Sequence, residues 1–275
     1  MRMGCNTMEV FSELDGQHLR FRGTFTGNSA ELQFLSGDGR VFENNVDRAS
    51  LRDILLELTD QPAIDGSEIG SGNRLVSFPL PGMQVLALIG ACDAVLQDRY
   101  GEGWFTASSL LNAYDLSEDQ DYSRVCAPVA AVASDLLYRI LDEEVVGKAL
   151  LELVDAEILS DDQLDQTTLY RFTPEYSYLP LLFADPARRM VMIAADEAGT
   201  FELLYFLSGA SGSWCFSMGT EQSFVEQVDS RRLSSLFTAL LGAPEGKAKF
   251  CTQCGAGIGE GNRFCTSCGA ETPNC

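Results

Sequence analysis

Two stretches at opposite ends of the first 241 residues share a pattern, and that pattern limits the folds open to this chain more than any other feature. FLSG occurs at 34–37 and again at 206–209. VDRASLRDILLEL at 46–58 pairs without a gap against VDSRRLSSLFTAL at 228–240, and the second copy carries ten extra residues between the two blocks. Each copy reads as two strands joined at a Gly-containing turn, then an Asp that caps a helix (Asp47, Asp229), then apolar residues at helical spacing. Leu51, Ile54, Leu55 and Leu58 form one stripe; Leu233, Leu236, Phe237 and Leu240 form its counterpart. A strand precedes each copy, HLRFRGTF at 18–25 and MVMIAA at 190–195. The repeated unit is therefore expected to be three antiparallel strands followed by a helix. Two such units, at about 18–58 and 190–241, are expected to join in one sheet about a pseudo-two-fold axis.

Between the copies, 82–185 reads as mostly helical. Gly82 to Arg99, Thr106 to Asp115, Arg124 to Asp142 and Glu143 to Leu159 have apolar residues at helical spacing. After the last of these come SDDQLDQ and TTLYRFTPEYSYLPLLF, an order of helix, acidic loop and strand with a Thr-Pro turn that resembles the second half of a winged-helix domain. Such a shape implies DNA, but its helix carries Lys148 alone against Glu143, Glu144, Glu152, Asp155 and Glu157. That face repels phosphate, so the element is expected to serve as protein contact or core.

The C-terminus repeats at closer range. FCTQCGA and FCTSCGA lie 14 residues apart, giving two CxxC pairs separated by ten residues. In each, a Gly after the second Cys (Gly255, Gly269) suits the left-handed turn that lets backbone N–H groups point at sulfur. Cys251, Cys254, Cys265 and Cys268 thus supply four thiolates, a set that fills a tetrahedral zinc ion and leaves no place for water or substrate. A rubredoxin-like iron site uses similar knuckles; the short separation and the lack of a surrounding aromatic core favour zinc. This part resembles the zinc-ribbon domains appended to many bacterial proteins, and the expected cofactor is one structural Zn2+. Residues 242–249, GAPEGKAK, read as a linker, so the chain divides into a body at 1–241, a linker at 242–249 and a ribbon at 250–275. The fold class expected is α+β: duplicated antiparallel units flanking a helical, winged-helix-like middle, with the small ribbon added.

The net charge of −21 falls entirely on the body, because the three basic residues of the tail (Lys247, Lys249, Arg263) balance its three acidic ones. Such a field disfavours nucleic acid and anionic lipid and favours neutral or basic partners. No apolar run reaches the 18 or so residues of a membrane helix, and the start, MRMGCNTMEVFSELDG, lacks an apolar signal segment, so a cytoplasmic protein is expected. Cys92, Cys126 and Cys215 lie in apolar surroundings and read as reduced, buried thiols.

Catalytic constellations are hard to assemble. His18 is the single histidine, and a structural or exposed role is expected for it. GSEIGSGNR at 66–74 lacks the GK[ST] of a phosphate loop, and DLSEDQDYS at 115–123 lacks the Gly and distal Glu of an EF-hand loop. Trp104 and Trp214 read as core or turn anchors, or as marks of a partner-binding patch.

The two FLSG and VD blocks around a helical centre resemble, in order of elements over most of 1–241, the EspG-type substrate chaperones of type VII secretion. That resemblance implies binding of helical secretion substrates through an apolar surface. The reading is a non-enzymatic cytosolic adaptor or chaperone that binds another protein. The alternatives are a regulator whose ribbon touches nucleic acid through Lys247, Lys249 and Arg263, and an enzyme with an unrecognised carboxylate site.

Overall fold

The computed structural model describes residues 5–14, 16–35, 41–59, 76–98, 102–114, 122–219, 223–241, 249–250 and 257–258. The chain opens with four strands, β1 (Thr7–Leu14), β2 (Gln17–Thr26), β3 (Ser29–Leu35) and β4 (Val41–Asp47), followed by helix α1 (Arg48–Thr59). A short strand β5 (Ser77–Pro79) leads into the middle helices α2 (Gly82–Gln97), α3 (Ala107–Tyr114), α4 (Ala127–Ile140) and α5 (Glu143–Asp155). A hairpin of β6 (Leu159–Leu164) and β7 (Thr167–Phe172) and a short helix α6 (Leu179–Ala184) complete the middle. Four more strands follow, β8 (Arg188–Ala195), β9 (Phe201–Gly209), β10 (Gly212–Gly219) and β11 (Phe224–Gln227), then helix α7 (Ser230–Leu241). Beyond them lie β12 (Lys249–Phe250) and β13 (Gly257–Ile258).

One antiparallel sheet of nine strands, in the order β4-β3-β2-β1-β8-β9-β10-β11-β5, organises the body. β1 and β8 pair at its centre, with Val10 opposite Met192 and Phe11 opposite Val191, and on either side the strands of each unit run outward in the same order. This is the duplicated α+β architecture expected from the repeat, with a pseudo-two-fold at the β1–β8 junction. Each unit has one strand more than the sequence reading assigned. HLRFRGTF lies in the second strand of its unit, whereas MVMIAA lies in the first strand of the other. The two FLSG blocks are therefore not equivalent: Phe34 and Leu35 of the first lie at the end of β3, the third strand of its unit, whereas the second ends β9, the second strand of the other. The ten extra residues of the second copy are a whole strand, because two strands follow its FLSG before the helix and only one follows the first.

Helices α1 and α7 lie together on one face of the sheet. Leu51 and Leu55 of α1 and Leu233, Phe237 and Leu240 of α7 are buried against Val10, Phe21, Leu32, Met192 and Phe206. The stripes expected from the sequence are thus the buried ones. Asp47 and Asp229 cap these helices as expected: the Ser50 N–H donates to Asp47 Oδ1 at 2.8 Å and the Arg232 N–H to Asp229 Oδ1 at 2.7 Å. The Ser50 amide and hydroxyl hold the Asp47 carboxyl below the usual carboxylate range, so this cap is present at neutral pH and is lost as acid protonates it. Asp229→Ala is expected to lower stability by about 1 kcal/mol in urea unfolding, and Asp47→Ala to act in the same direction.

The opposite face is covered by the middle helices, but over the second unit. Val191, Leu203, Tyr205, Leu207 and Phe216 are buried beneath α2 to α6. Within that layer α2, α3 and α5 pack on one another, and the β6–β7 hairpin joins them through β6 against α5 and through a bridge, Phe105 opposite Tyr170. This is the winged-helix-like centre, with α4 inserted and laid against β1 and β8. Two details differ from the sequence reading. The acidic loop SDDQLDQ is mostly strand β6, turning at Asp165 with φ 57°, and the LPLLF segment is helix α6 rather than strand. Four polar or charged residues in β6, Ser160 to Gln163, hide a strand whose side chains are mostly exposed.

Candidate functional site

The pseudo-symmetry makes one asymmetry conspicuous. The face of β8 to β11 that lies under the helical middle has its counterpart on β1 to β4; there α4 covers Phe11 of β1, and no helix among the described residues lies over β2 to β4. Period-two alternation in β2 places Arg20, Arg22 and Thr24 on the open side and Phe21, Gly23 and Phe25 on the side of α1 and α7. Glu9, opposite Arg22 in the register, accepts from Arg22 Nε at 3.0 Å and pairs with Arg20 Nη2 at 3.4 Å. Exposed Glu31, Glu43, Leu35 and Val41 continue this surface towards the β4 edge. Leu35 and Val41 are 44% and 52% exposed. The sequence reading assigned no role to this surface, although the alternation in RFRGTFT beside the unbroken apolar run LLYFL at 203–207 carries the signal: one strand is half-buried, the other buried on both faces.

Where the open surface meets the helical layer, a cluster of polar side chains ties the two together. Glu13 Oε2 accepts from Arg189 Nε at 2.9 Å, and Arg189, 4% exposed, also donates to the carbonyls of Arg124 and Tyr122. His18 lies over Phe11 and against Tyr122, its Nε2 3.5 Å from Glu13 Oε1. It is the structural, partly exposed residue expected. Deeper in, the carboxylate of Asp93 is fully buried and takes Arg124 Nη2 at 2.7 Å and the Val125 N–H at 2.6 Å. The Tyr205 hydroxyl donates to the Val125 carbonyl at 3.1 Å, and that of Tyr114 to Leu86 at 2.7 Å.

The thiols of the body are chemically quiet. Cys5, Cys92, Cys126 and Cys215 are free and buried, and burial raises the pKa of each, that of Cys5 to about 11. A thiol held protonated is a poor nucleophile and a poor metal ligand. Among the described residues no group of three or more His, Cys, Asp or Glu could hold a metal ion. A depression of about 400 Å³ borders α2 and α3, lined by Asp98, Trp104, Ser109 and Arg124 among others. Trp104 carries the Arg171 guanidinium 4.5 Å above its ring, and Trp214 is a core anchor, 4% exposed and packed on Tyr178. The segments 66–74 and 115–121 lie outside the described residues.

Cys251, Cys254, Cys265 and Cys268 also lie outside the described residues. What flanks the first pair is described: β12 and β13 pair antiparallel, Phe250 opposite Gly257, so a small hairpin brackets Cys251 and Cys254 in the chain. A donor set of four Cys in two such pairs suits zinc, whose structural sites are commonly all-thiolate.

Residues 250–272 match the family model of the zinc-ribbon domain. The chain therefore carries a zinc-binding C-terminal module. Over most of its length it is also similar in structure to a chain in the Mycobacterium tuberculosis type VII secretion system chaperone EspG5 in complex with the PE25-PPE41 dimer. The match covers 88% of this chain and 75% of that chain, at 12% identity and a TM-score of 0.38. No curated protein matches the chain. No helix among the described residues is long and apolar enough to cross a membrane.

Proposed function

We propose that the chain is a non-enzymatic cytosolic adaptor or chaperone whose body, residues 1–241, binds another protein. The ribbon at 250–275, on the linker 242–249, would be a second contact, folded around one structural zinc ion on Cys251, Cys254, Cys265 and Cys268. Zinc there supplies tetrahedral cross-linking and no open coordination position for chemistry.

One observation carries the reading: among the described residues no helix lies over the face of β2 to β4, whereas its symmetry mate on β9 to β11 is buried beneath the helical middle. A sheet face that presents Arg20, Arg22 and Glu9 beside exposed Leu35 and Val41 has the mixed character of a surface made to be covered, with apolar anchors rimmed by charge. The net charge of −21 turns nucleic acid and acidic membranes away and leaves basic or neutral proteins as partners. The raised pKa values of the buried thiols accord with a body that does no nucleophilic chemistry. A helical secretion substrate, implied by the resemblance to EspG-type chaperones, is one partner of this kind; the proposal does not depend on it.

A photo-reactive amino acid at Thr24, on the open face, is expected to give one discrete adduct with a second protein in the native host. The same group at exposed Asp135 of α4 is expected to give none. A smear of adducts, or equal yields at the two positions, would count against an adaptor built on this face.

A further inference from the structure

The two outer edges of the sheet are finished differently. At one, β11 is covered by β5, a three-residue strand that ends at Pro79 and is followed by Pro81, so the sheet stops there. At the other, β4 has one neighbour among the described residues, β3, and runs for seven residues with no Pro or Lys. Five of its first residues in a row are exposed, Phe42 58% so. β4 and β11 hold the same place in their two units and are joined by the gap-free block that matches Val46 with Val228 and Asp47 with Asp229.

The hydrogen bonds make this equivalence specific. The Val228 N–H bonds the Ser213 carbonyl, so by antiparallel alternation Val228, Glu226 and Phe224 face β10, while Ser223, Val225 and Gln227 face β5. They do bond it: the Leu80 N–H reaches the Ser223 carbonyl at 3.1 Å, and the Gln227 N–H the Val76 carbonyl at 2.7 Å. In the first unit the Arg48 N–H bonds the Asn28 carbonyl at 3.1 Å, so Val46, Asn44 and Phe42 face β3 and Val41, Glu43 and Asn45 face outward. Through the matched block, Val41, Glu43 and Asn45 stand where Ser223, Val225 and Gln227 stand. The outward amides and carbonyls of β4 are the counterparts of those that β5 satisfies.

We infer that β4 is a docking edge that takes an extended segment of the partner protein as an added antiparallel strand, as β11 takes β5. The inference rests on the partner-binding reading above and names its site. The chemistry of the segment follows from the side chains it would lie beside. Glu43 and Asp47 share the open face of β4, with Glu31 on the next strand, and call for Lys or Arg. Phe42 and Val46 on the other face call for apolar residues. The segment is one of alternating basic and apolar residues. A second copy of this chain is a poor occupant, since it brings its own acidic edge and another net charge of −21.

The test uses the full chain and a capped seven-residue peptide of alternating lysine and valine, with amide hydrogen exchange followed by NMR. Saturating peptide is expected to slow exchange at Val41, Glu43 and Asn45 by about tenfold or more and to leave Phe42, Asn44 and Val46, already bonded to β3, unchanged. N-methylation of the peptide along one edge leaves the protein untouched and is expected to abolish the protection. Glu43→Lys is expected to weaken binding by about tenfold or more. No protection at β4 with peptide up to about 1 mM, or protection indifferent to N-methylation, overturns the inference; so does slowed exchange at these amides from self-association alone, seen as a dimer in sedimentation. A discrete adduct from Thr24 whose yield is unchanged by Glu43→Lys would overturn the strand site and leave the adaptor reading standing. Absence of both adduct and protection would overturn the two together.

Discussion

Asp93→Ala is expected to destabilise the body by about 3 kcal/mol, the cost of removing a fully buried carboxylate that accepts from a guanidinium and a buried amide. The Asp93 carboxylate, fully buried in α2, is the acceptor for both Arg124 Nη2 and the Val125 amide. Its removal takes the acceptor away from the Val125 N–H and one partner away from Arg124, whose side chain is 29% exposed. The neighbourhood magnifies the effect, because the Val125 carbonyl also takes the Tyr205 hydroxyl and the Arg124 carbonyl takes Arg189 Nη1. The segment that Asp93 fixes therefore holds the helical layer to the sheet. Asp93→Asn keeps an acceptor and is expected to lose less, about 1–3 kcal/mol. Urea unfolding followed by tryptophan fluorescence measures both; a loss below about 1 kcal/mol for the alanine variant would show that the pair is dispensable to the layer.

Removal of zinc is expected to have the second large effect, confined to the tail. Structural zinc contributes on the order of 10–16 kcal/mol in peptides of this size at neutral pH, which so short a segment cannot replace by burying apolar surface. A chelator should abolish the ordered signals of 250–272 and release one equivalent of metal, while the melting transition of the body hardly moves. Serine at Cys265 should do the same without a chelator. Collapse of the whole tertiary signal would mean that ribbon and body fold as one unit.

Much of this architecture was legible because the repeat is written in the strongest signals a sequence has. The stripes of α1 and α7 and the caps Asp47 and Asp229 come from local rules, and the structure keeps them. What escaped were strands whose pattern is weak. β1 reads TMEVFSEL, and Glu9 and Glu13 break the apolar run because one looks onto the open face and the other answers Arg189. β6 reads LSDDQL, four polar residues in a row, and pairs with β7 on the solvent side. FLSG misled for a different reason: Gly after a hydrophobic strand end is generic punctuation, and it recurs at two strand ends that the topology does not relate. The zinc-ribbon domain at 250–272 was legible from cysteine spacing alone, whereas the open face and the β4 edge depend on what covers the equivalent surface in the other unit, which only the paired structure reveals.

Arg48, the first residue of α1, lies directly after β4, and its guanidinium donates to the carbonyls of Gly27, Cys5 and Leu241. Leu241 is the last residue of α7, so on the division proposed above the tether to the ribbon would start at the corner where the β4 edge ends. Eight residues, 242–249, reach at most about 28 Å, and a seven-residue strand is about 23 Å long. On the proposed reading, a protein that holds the edge and the ribbon together would meet the second contact at high effective concentration, with its avidity set by the tether. Two modest grips at one corner make a slow release, and a longer or shorter tether would tune it without altering a single contact.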